Sequence, residues 1–196
     1  MITISQVPDY NRIGIKEFFT SSFPWFYTDA IIHDYPVGPW WLKTKGVKPK
    51  HQFTHSFIEC GTTGSAWTQP LLKLLPLFPE LSTHYIWRMK ANLQTPYKTS
   101  TRRYPHVDMN YDPIALDSII YLYFPEDSDG PLEIYHNWWR TQRIKPKGGR
   151  LVRMPATTWH SGNSPVHAER RTVLNVVLCP KGNRSPRPWA HLHTDA

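Results

Sequence analysis

The stretch 104–110 reads Tyr-Pro-His-Val-Asp-Met-Asn, and its centre is His106-x-Asp108. In an extended strand side chains alternate faces, so residues two apart point the same way. An imidazole and a carboxylate then converge on one point. A third ligand from a separate strand completes a facial set of two nitrogens and one oxygen. That set, with open positions opposite it, suits a non-haem Fe(II) that must also take a co-substrate and O2. Downstream, His160 stands in Pro-Ala-Thr-Thr-Trp-His-Ser-Gly, just after an apolar run. Beyond it, Arg170-Arg171-Thr-Val-Leu-Asn-Val-Val-Leu is a strand that opens on two cations. The pair alone says little, because the chain has ten histidines and His193-Thr-Asp195 repeats the spacing. The order His-x-Asp, strand, strand, His, then Arg opening a strand is far more specific.

Strands and turns must position these groups. Nineteen prolines and nine tryptophans disfavour a helical protein, since proline breaks helix interiors and is kept out of central strands. Strand patterns fall at 1–7, 51–60, 84–94, 117–124, 132–135, 150–154 and 172–179. On 51–60 the alternation is Phe53, His55, Phe57; on 84–94 it sets Tyr85, Trp87 and Met89 against Ile86, Arg88, Lys90 and Asn92. Asp127-Ser-Asp-Gly-Pro and Lys147-Gly-Gly read as turns. A short helix is expected at 13–20. The best helix is expected at 67–78, where Leu71, Leu72, Leu74, Leu75 and Phe78 lie near helical spacing and Pro76 must end or kink it. Residues 23–29 are aromatic without periodicity, 35–41 are a Pro/Gly loop, and 95–103 form a polar loop suited to the mouth of a site. Strands at regular spacing predict a sandwich or barrel, with the helical material padding one sheet from outside.

The length of 196 residues fits one domain over 1–196: support from 1–83, a core at about 84–179 and an extended tail at 180–196. No apolar run approaches the roughly 18 residues that span a bilayer, and the N-terminus lacks a signal-peptide layout. Cys60 and Cys179 make neither a disulfide framework nor a zinc spacing, so free thiols in a reducing cytoplasm are expected. For a viral protein that is the host's cytoplasm. The net charge of +8 permits a nucleic acid partner, but ordinary solubility charge is the simpler reading. The basic stretches 43–50 and 140–153 are interleaved with Trp, Pro or Gly and do not form a recognition helix.

The order of His106-x-Asp108, His160 and Arg171 resembles the Fe(II)/2-oxoglutarate-dependent oxygenases. Upstream, Pro24-Trp-Phe-Tyr-Thr-Asp29, Phe53-Thr-His-Ser-Phe57, Pro70-Leu-Leu-Lys-Leu-Leu75 and Arg88-Met-Lys-Ala-Asn-Leu93 follow in order. With Ile120-Tyr-Leu-Tyr123 and Arg171-Thr-Val-Leu-Asn175 they resemble small marine bacteriophage members related to prolyl 4-hydroxylases, over about residues 24–178. The resemblance implies a mainly β double-stranded β-helix (jelly-roll, cupin-like) with flanking helices. It implies a dioxygenase, most simply a hydroxylase, using Fe(II), 2-oxoglutarate and O2. His106, Asp108 and His160 then hold the metal, and Arg171 anchors the far carboxylate of 2-oxoglutarate. Tyr121 is implied to meet the same carboxylate, and Asn92, which shares a face of the preceding strand with Arg88, is expected to line the pocket.

Alternatives stay open on the sequence. Arg170 competes with Arg171, since neighbours on a strand face opposite ways; His167 competes with His160. Tyr121 is equally a core aromatic, Arg88 lines the pocket as readily as Asn92, and His51, His55 and His84 read as structural. The primary substrate, peptidyl or small, is not legible. An oxygenase acting on nucleic acid and a silent cupin-like binding module are the rival classes.

Overall fold

The computed structural model describes residues 1–9, 14–28, 51–98, 105–109, 113–137 and 140–182. The expected loop at 35–41, much of the loop 95–103, the basic stretch 43–50, and His193 and Asp195 lie outside them.

The chain runs β1 (Thr3–Gln6), α1 (Ile15–Thr20), β2 (Phe26–Thr28), β3 (Gln52–Glu59) and β4 (Thr62–Thr63). Two 3-10 helices follow, Ala66–Leu77 and Pro79–Ser82. Then come β5 (His84–Gln94), α2 (Pro113–Asp117), β6 (Ile119–Phe124), β7 (Leu132–Tyr135), β8 (Thr141–Ile144), β9 (Arg150–Pro155), β10 (His160–Gly162) and β11 (Arg171–Pro180). The larger sheet has the order β1-β9-β6-β11-β5-β3-β2, with β4 on β3; the smaller is β10-β7-β8. All of these pairings are antiparallel. The protein is therefore mainly antiparallel β with little helix. Among the described residues no helix is long and apolar enough to cross a membrane.

The central strands β6 and β11 of the larger sheet are buried on both faces. On β6, Tyr121 and Tyr123 belong to one apolar cluster, and Ile120, Leu122 and Phe124 to another. On β11, Leu174, Val176 and Leu178 alternate in the same way with Val173, Val177 and Cys179. The first cluster takes in Ile15 and Phe19 of α1 and Leu71, Leu74 and Phe78 of the 3-10 segment, so helices do pad the outer face. The second joins the inner face to Leu132, Ile134 and Ile144 of the smaller sheet.

Two sequence readings need correction. The helix expected over 67–78 is a 3-10 helix. Pro70 and Pro76 lie inside it, and neither offers an N–H for the i to i−4 ladder. Its buried residues Thr68, Leu71 and Leu74 repeat every three residues, the period at which 3-10 side chains eclipse. Ser65 caps it by accepting from the Trp67 N–H at 3.1 Å. Leu74→Ala is expected to lower stability by about 2–5 kcal/mol, read from the urea midpoint, whereas Leu72→Ala, at a position 36% exposed, should change it little.

The second correction concerns β5. Its pairing with β11 slips between Val177 and Leu178, which face Arg88 and Ile86. That bulge flips the alternation. Tyr85 and Trp87 pack with the inner cluster, while Met89 and Ile86 go with the outer one.

Candidate metal centre

His106 lies on an extended segment that makes one bridge to β10. Its N–H donates to the His160 carbonyl at 2.9 Å, and the His160 N–H donates back at 2.9 Å. Directly opposed residues of an antiparallel pair put their side chains on one face, and the two imidazole centroids are 4.5 Å apart. The next turn of chain is held by the Asp108 N–H on the Ala156 carbonyl at 3.2 Å. His106, Asp108 and His160 thereby each offer a ligand atom within 4.8 Å of the others. Nε2 of His160 is 3.3 Å from Oδ2 of Asp108. Nδ1 of His160 lies 2.9 Å from the Thr158 carbonyl. A carbonyl can only accept, so Nδ1 carries a proton and Nε2 is the ring nitrogen turned toward Asp108 and left for a metal.

Asp108 is fixed from behind. Oδ1 accepts from Nη2 of Arg88 at 2.5 Å, and Nδ2 of Asn175 donates to Oδ1 at 3.3 Å and Oδ2 at 3.2 Å. Burial alone would raise this carboxyl, but the Arg88 guanidinium and His160 outweigh it and hold it well below the usual carboxylate range. It is a carboxylate at neutral pH, the state a metal ligand needs.

The strand that opens on two arginines divides them cleanly. Arg170 turns out, its Nε on both oxygens of Glu126 at 3.0 Å, where Thr172 also donates at 2.6 Å. Arg171 turns in and is 2% exposed. Its Nε donates to the Gly130 carbonyl at 2.8 Å, Nη1 reaches Oε1 of Gln94 at 3.4 Å, and the guanidinium sits 5.3 Å from the Phe124 ring centre. A Cβ on Gly162 would stand 2.8 Å from Nη1 of Arg171, so only glycine leaves room for the guanidinium there.

Tyr121 is not brought to this place. It pairs with Val176 and Arg153, on the outer side of β6, and its hydroxyl donates to Glu80. Strand parity is the cause: Ile120, Leu122 and Phe124 take the inner face, and Phe124 flanks Arg171 where a hydroxyl was expected. Asn92 does lie on the inner side, opposite Val173, with a buried Oδ1 that has no hydrogen-bond partner. His167 is not one of the converging ligands; its backbone N–H donates to Asp129 at 2.9 Å. His55 bridges the Pro24 carbonyl and Ser65, both at 2.7 Å, as a structural histidine does.

Sequence reasoning did not single out Gln94, Gly130 or Gly162. Gln94 was readable, since it is two positions beyond Asn92 on the same strand face. Gly130 and Gly162 were not, because their role is set by the packing of two turns around one side chain.

No protein-family model matches the chain, and no curated protein matches it in sequence. Solved structures do. An oxidoreductase of the 2OG-Fe(II) oxygenase family from Burkholderia pseudomallei superposes with a TM-score of 0.64 at 13% identity, over 91% of this chain and 84% of that one. HygX from Streptomyces hygroscopicus, solved with nickel and 2-oxoglutarate bound, gives 0.61 at 7% identity over 95% and 85%. The fold is that of the 2-oxoglutarate oxygenases. A prolyl hydroxylase from Trichoplax adhaerens, in complex with a hypoxia inducible factor peptide fragment, gives 0.57 at 11% identity over 91% and 83%. The oxygenase fold alone carries no activity.

Proposed function

We propose that the chain is an Fe(II)- and 2-oxoglutarate-dependent dioxygenase built on a double-stranded β-helix, and that it hydroxylates a peptidyl or small-molecule substrate. The observation that carries the reading is the convergence of His106, Asp108 and His160, with Nε2 of His160 3.3 Å from the Asp108 carboxylate. Ligands bound about 2 Å from one ion stand about 3 Å apart. Two imidazoles and one carboxylate on one side of a point fit Fe(II) and leave the other side for a chelating co-substrate and O2. The iron, when bound, supplies the oxygen chemistry.

The chain's own residues position and exclude. Arg171 offers a planar fork that matches a carboxylate, in a pocket closed by Phe124 and Gly162. Arg171, Val173 and Asn175 succeed one another on the inner face of β11. They span about 13 Å of strand, which holds the arginine side chain and a five-carbon dicarboxylate reaching toward Asp108. Ile120, Leu122, Val173 and Val177 wall this path and keep water out. Asn175 and Arg88 hold the Asp108 carboxylate in one orientation, so it need not reorganise when the metal binds.

The test is anaerobic addition of Fe(II) and then 2-oxoglutarate. A weak visible charge-transfer band should form, and admitting O2 should yield succinate. His106→Ala should lose both Fe(II) retention and the band. An unaltered band in His106→Ala would remove that residue from the metal set.

A further inference from the structure

The inner face of β5 presents Gln94, Asn92, Lys90 and Arg88 in succession. The two ends are accounted for: Gln94 meets Arg171, and Arg88 meets Asp108. The middle pair is not. Lys90 stands opposite Asn175 on one side and Ser56 on the other. It therefore shares a face with the asparagine that holds Asp108, level with the metal trio rather than with Arg171. It is half-buried, and among the described residues no carboxylate lies within ion-pair distance of its ammonium. Asp108, the nearest site carboxylate, is taken by Arg88 and Asn175. Glu59, at the end of β3, accepts from Ser56 instead at 3.3 Å. Burial and the Arg88 charge pull the Lys90 ammonium down from its ordinary value, outweighing the Glu59 and Asp108 charges that raise it, so a contacting anion would still favour the ammonium.

Two further groups on this face lack partners. Oδ1 of Asn92 and Oδ1 of Asn175 are buried without a hydrogen bond, and Asn175 is 6% exposed. Beyond Asn92 the floor continues with Thr54, whose hydroxyl stands 3.4 Å from that of Thr28. Next to the metal trio there is thus one cation without a contacting carboxylate and two acceptors without donors. Buried polar groups left unpaired are costly, and a ligand carrying an oxyanion and neighbouring O–H or N–H donors satisfies all three.

Resting on the oxygenase reading above, we propose that Lys90 is the specificity residue for the primary substrate, and that this substrate carries a carboxylate or phosphate close to the carbon that is oxidised. Arg171 takes the co-substrate; Lys90 takes the substrate. Lys90 pairs with Asn175, four positions along β11 from Arg171.

The experiment uses full-length protein with Zn(II) in place of iron and saturating 2-oxoglutarate. Ligand-observed NMR then compares matched probes: phosphoserine with serine, glucose 6-phosphate with glucose, and N-acetylproline with its amide. At millimolar concentration at least one anion should bind and its neutral twin should not. Lys90→Gln should weaken that binding about ten- to a hundredfold, the loss expected for one charged hydrogen bond, and Lys90→Arg should restore most of it. Circular dichroism of each variant checks that the fold is kept. The proposal is overturned if no anion binds, if neutral twins bind equally, if Lys90→Gln binds like wild type, or if it loses 2-oxoglutarate to the same degree as the probe. Failure of the wild type to bind Zn(II) and 2-oxoglutarate at all is a separate result, and it overturns the oxygenase reading first.

Discussion

Arg171→Ala is expected to weaken 2-oxoglutarate binding by about 2–5 kcal/mol, the cost of removing one partner of a buried charge pair, while Fe(II) binding stays near that of wild type. The reasoning is geometric. Arg171 is almost wholly buried, its Nε and Nη1 are aligned by Gly130 and Gln94, and the trio stands on other segments. Two companions separate charge from shape. Gly162→Ala keeps the arginine but puts a methyl 2.8 Å from Nη1 and 3.1 Å from Cζ, so the guanidinium must shift; affinity should fall here too, by a smaller amount. Arg170→Ala removes only the outward ion pair with Glu126 and should leave 2-oxoglutarate binding alone. The measurement is succinate release without primary substrate, as a function of 2-oxoglutarate concentration. A crippled Arg170→Ala beside an unaffected Arg171→Ala would mean that the co-substrate lies on the other face of β11.

The register of β11 shows how far a sequence can be read. Arg171-Thr-Val-Leu-Asn175 alternates without a break as far as Val177, so parity puts Arg171, Val173 and Asn175 on one face, and the resemblance to the oxygenase pattern at Arg171-Thr-Val-Leu-Asn175 makes that face the inner one, as observed. The same rule applied to β5 failed below Arg88, because a bulge opposite Val177 and Leu178 inserts a residue that no periodicity marks. Tyr121 shows a second limit. Both faces of β6 are buried, so its unbroken apolar run has no polar side to reveal which way the tyrosine points. The partner that claims it, Glu80, comes from the 3-10 helix Pro79–Ser82, forty-one residues upstream. The trio was legible for the opposite reason. His-x-Asp and a later His are chemically distinctive whatever their register, and the bridge between His106 and His160 only had to bring them together.

Asp108→Asn should abolish Fe(II) retention through a desalting column and should also change how the apo-protein responds to acid. Asp108 supplies the only negative charge among the trio, so its loss leaves two neutral imidazoles, and even partners that merely orient a ligand cost 10–100-fold in metal affinity on removal. The stability effect follows from Arg88, whose side chain is 22% exposed beside a 6% exposed carboxylate. Breaking a buried pair by removing one partner costs about 3–5 kcal/mol; the partial exposure of Arg88 and the retained amide place the asparagine variant toward or below the lower end. The sign of the pH dependence is set by the carboxyl, which the folded protein holds well below its ordinary value. Its contribution is therefore fully present above the ordinary carboxylate range and is lost as pH falls toward the folded value. In chelator-treated protein the urea midpoints of wild type and Asp108→Asn should differ most at neutral pH and draw together in acid. A gap that widens in acid would mean that Asp108 is protonated in the fold, and a group protonated there is no ligand for Fe(II).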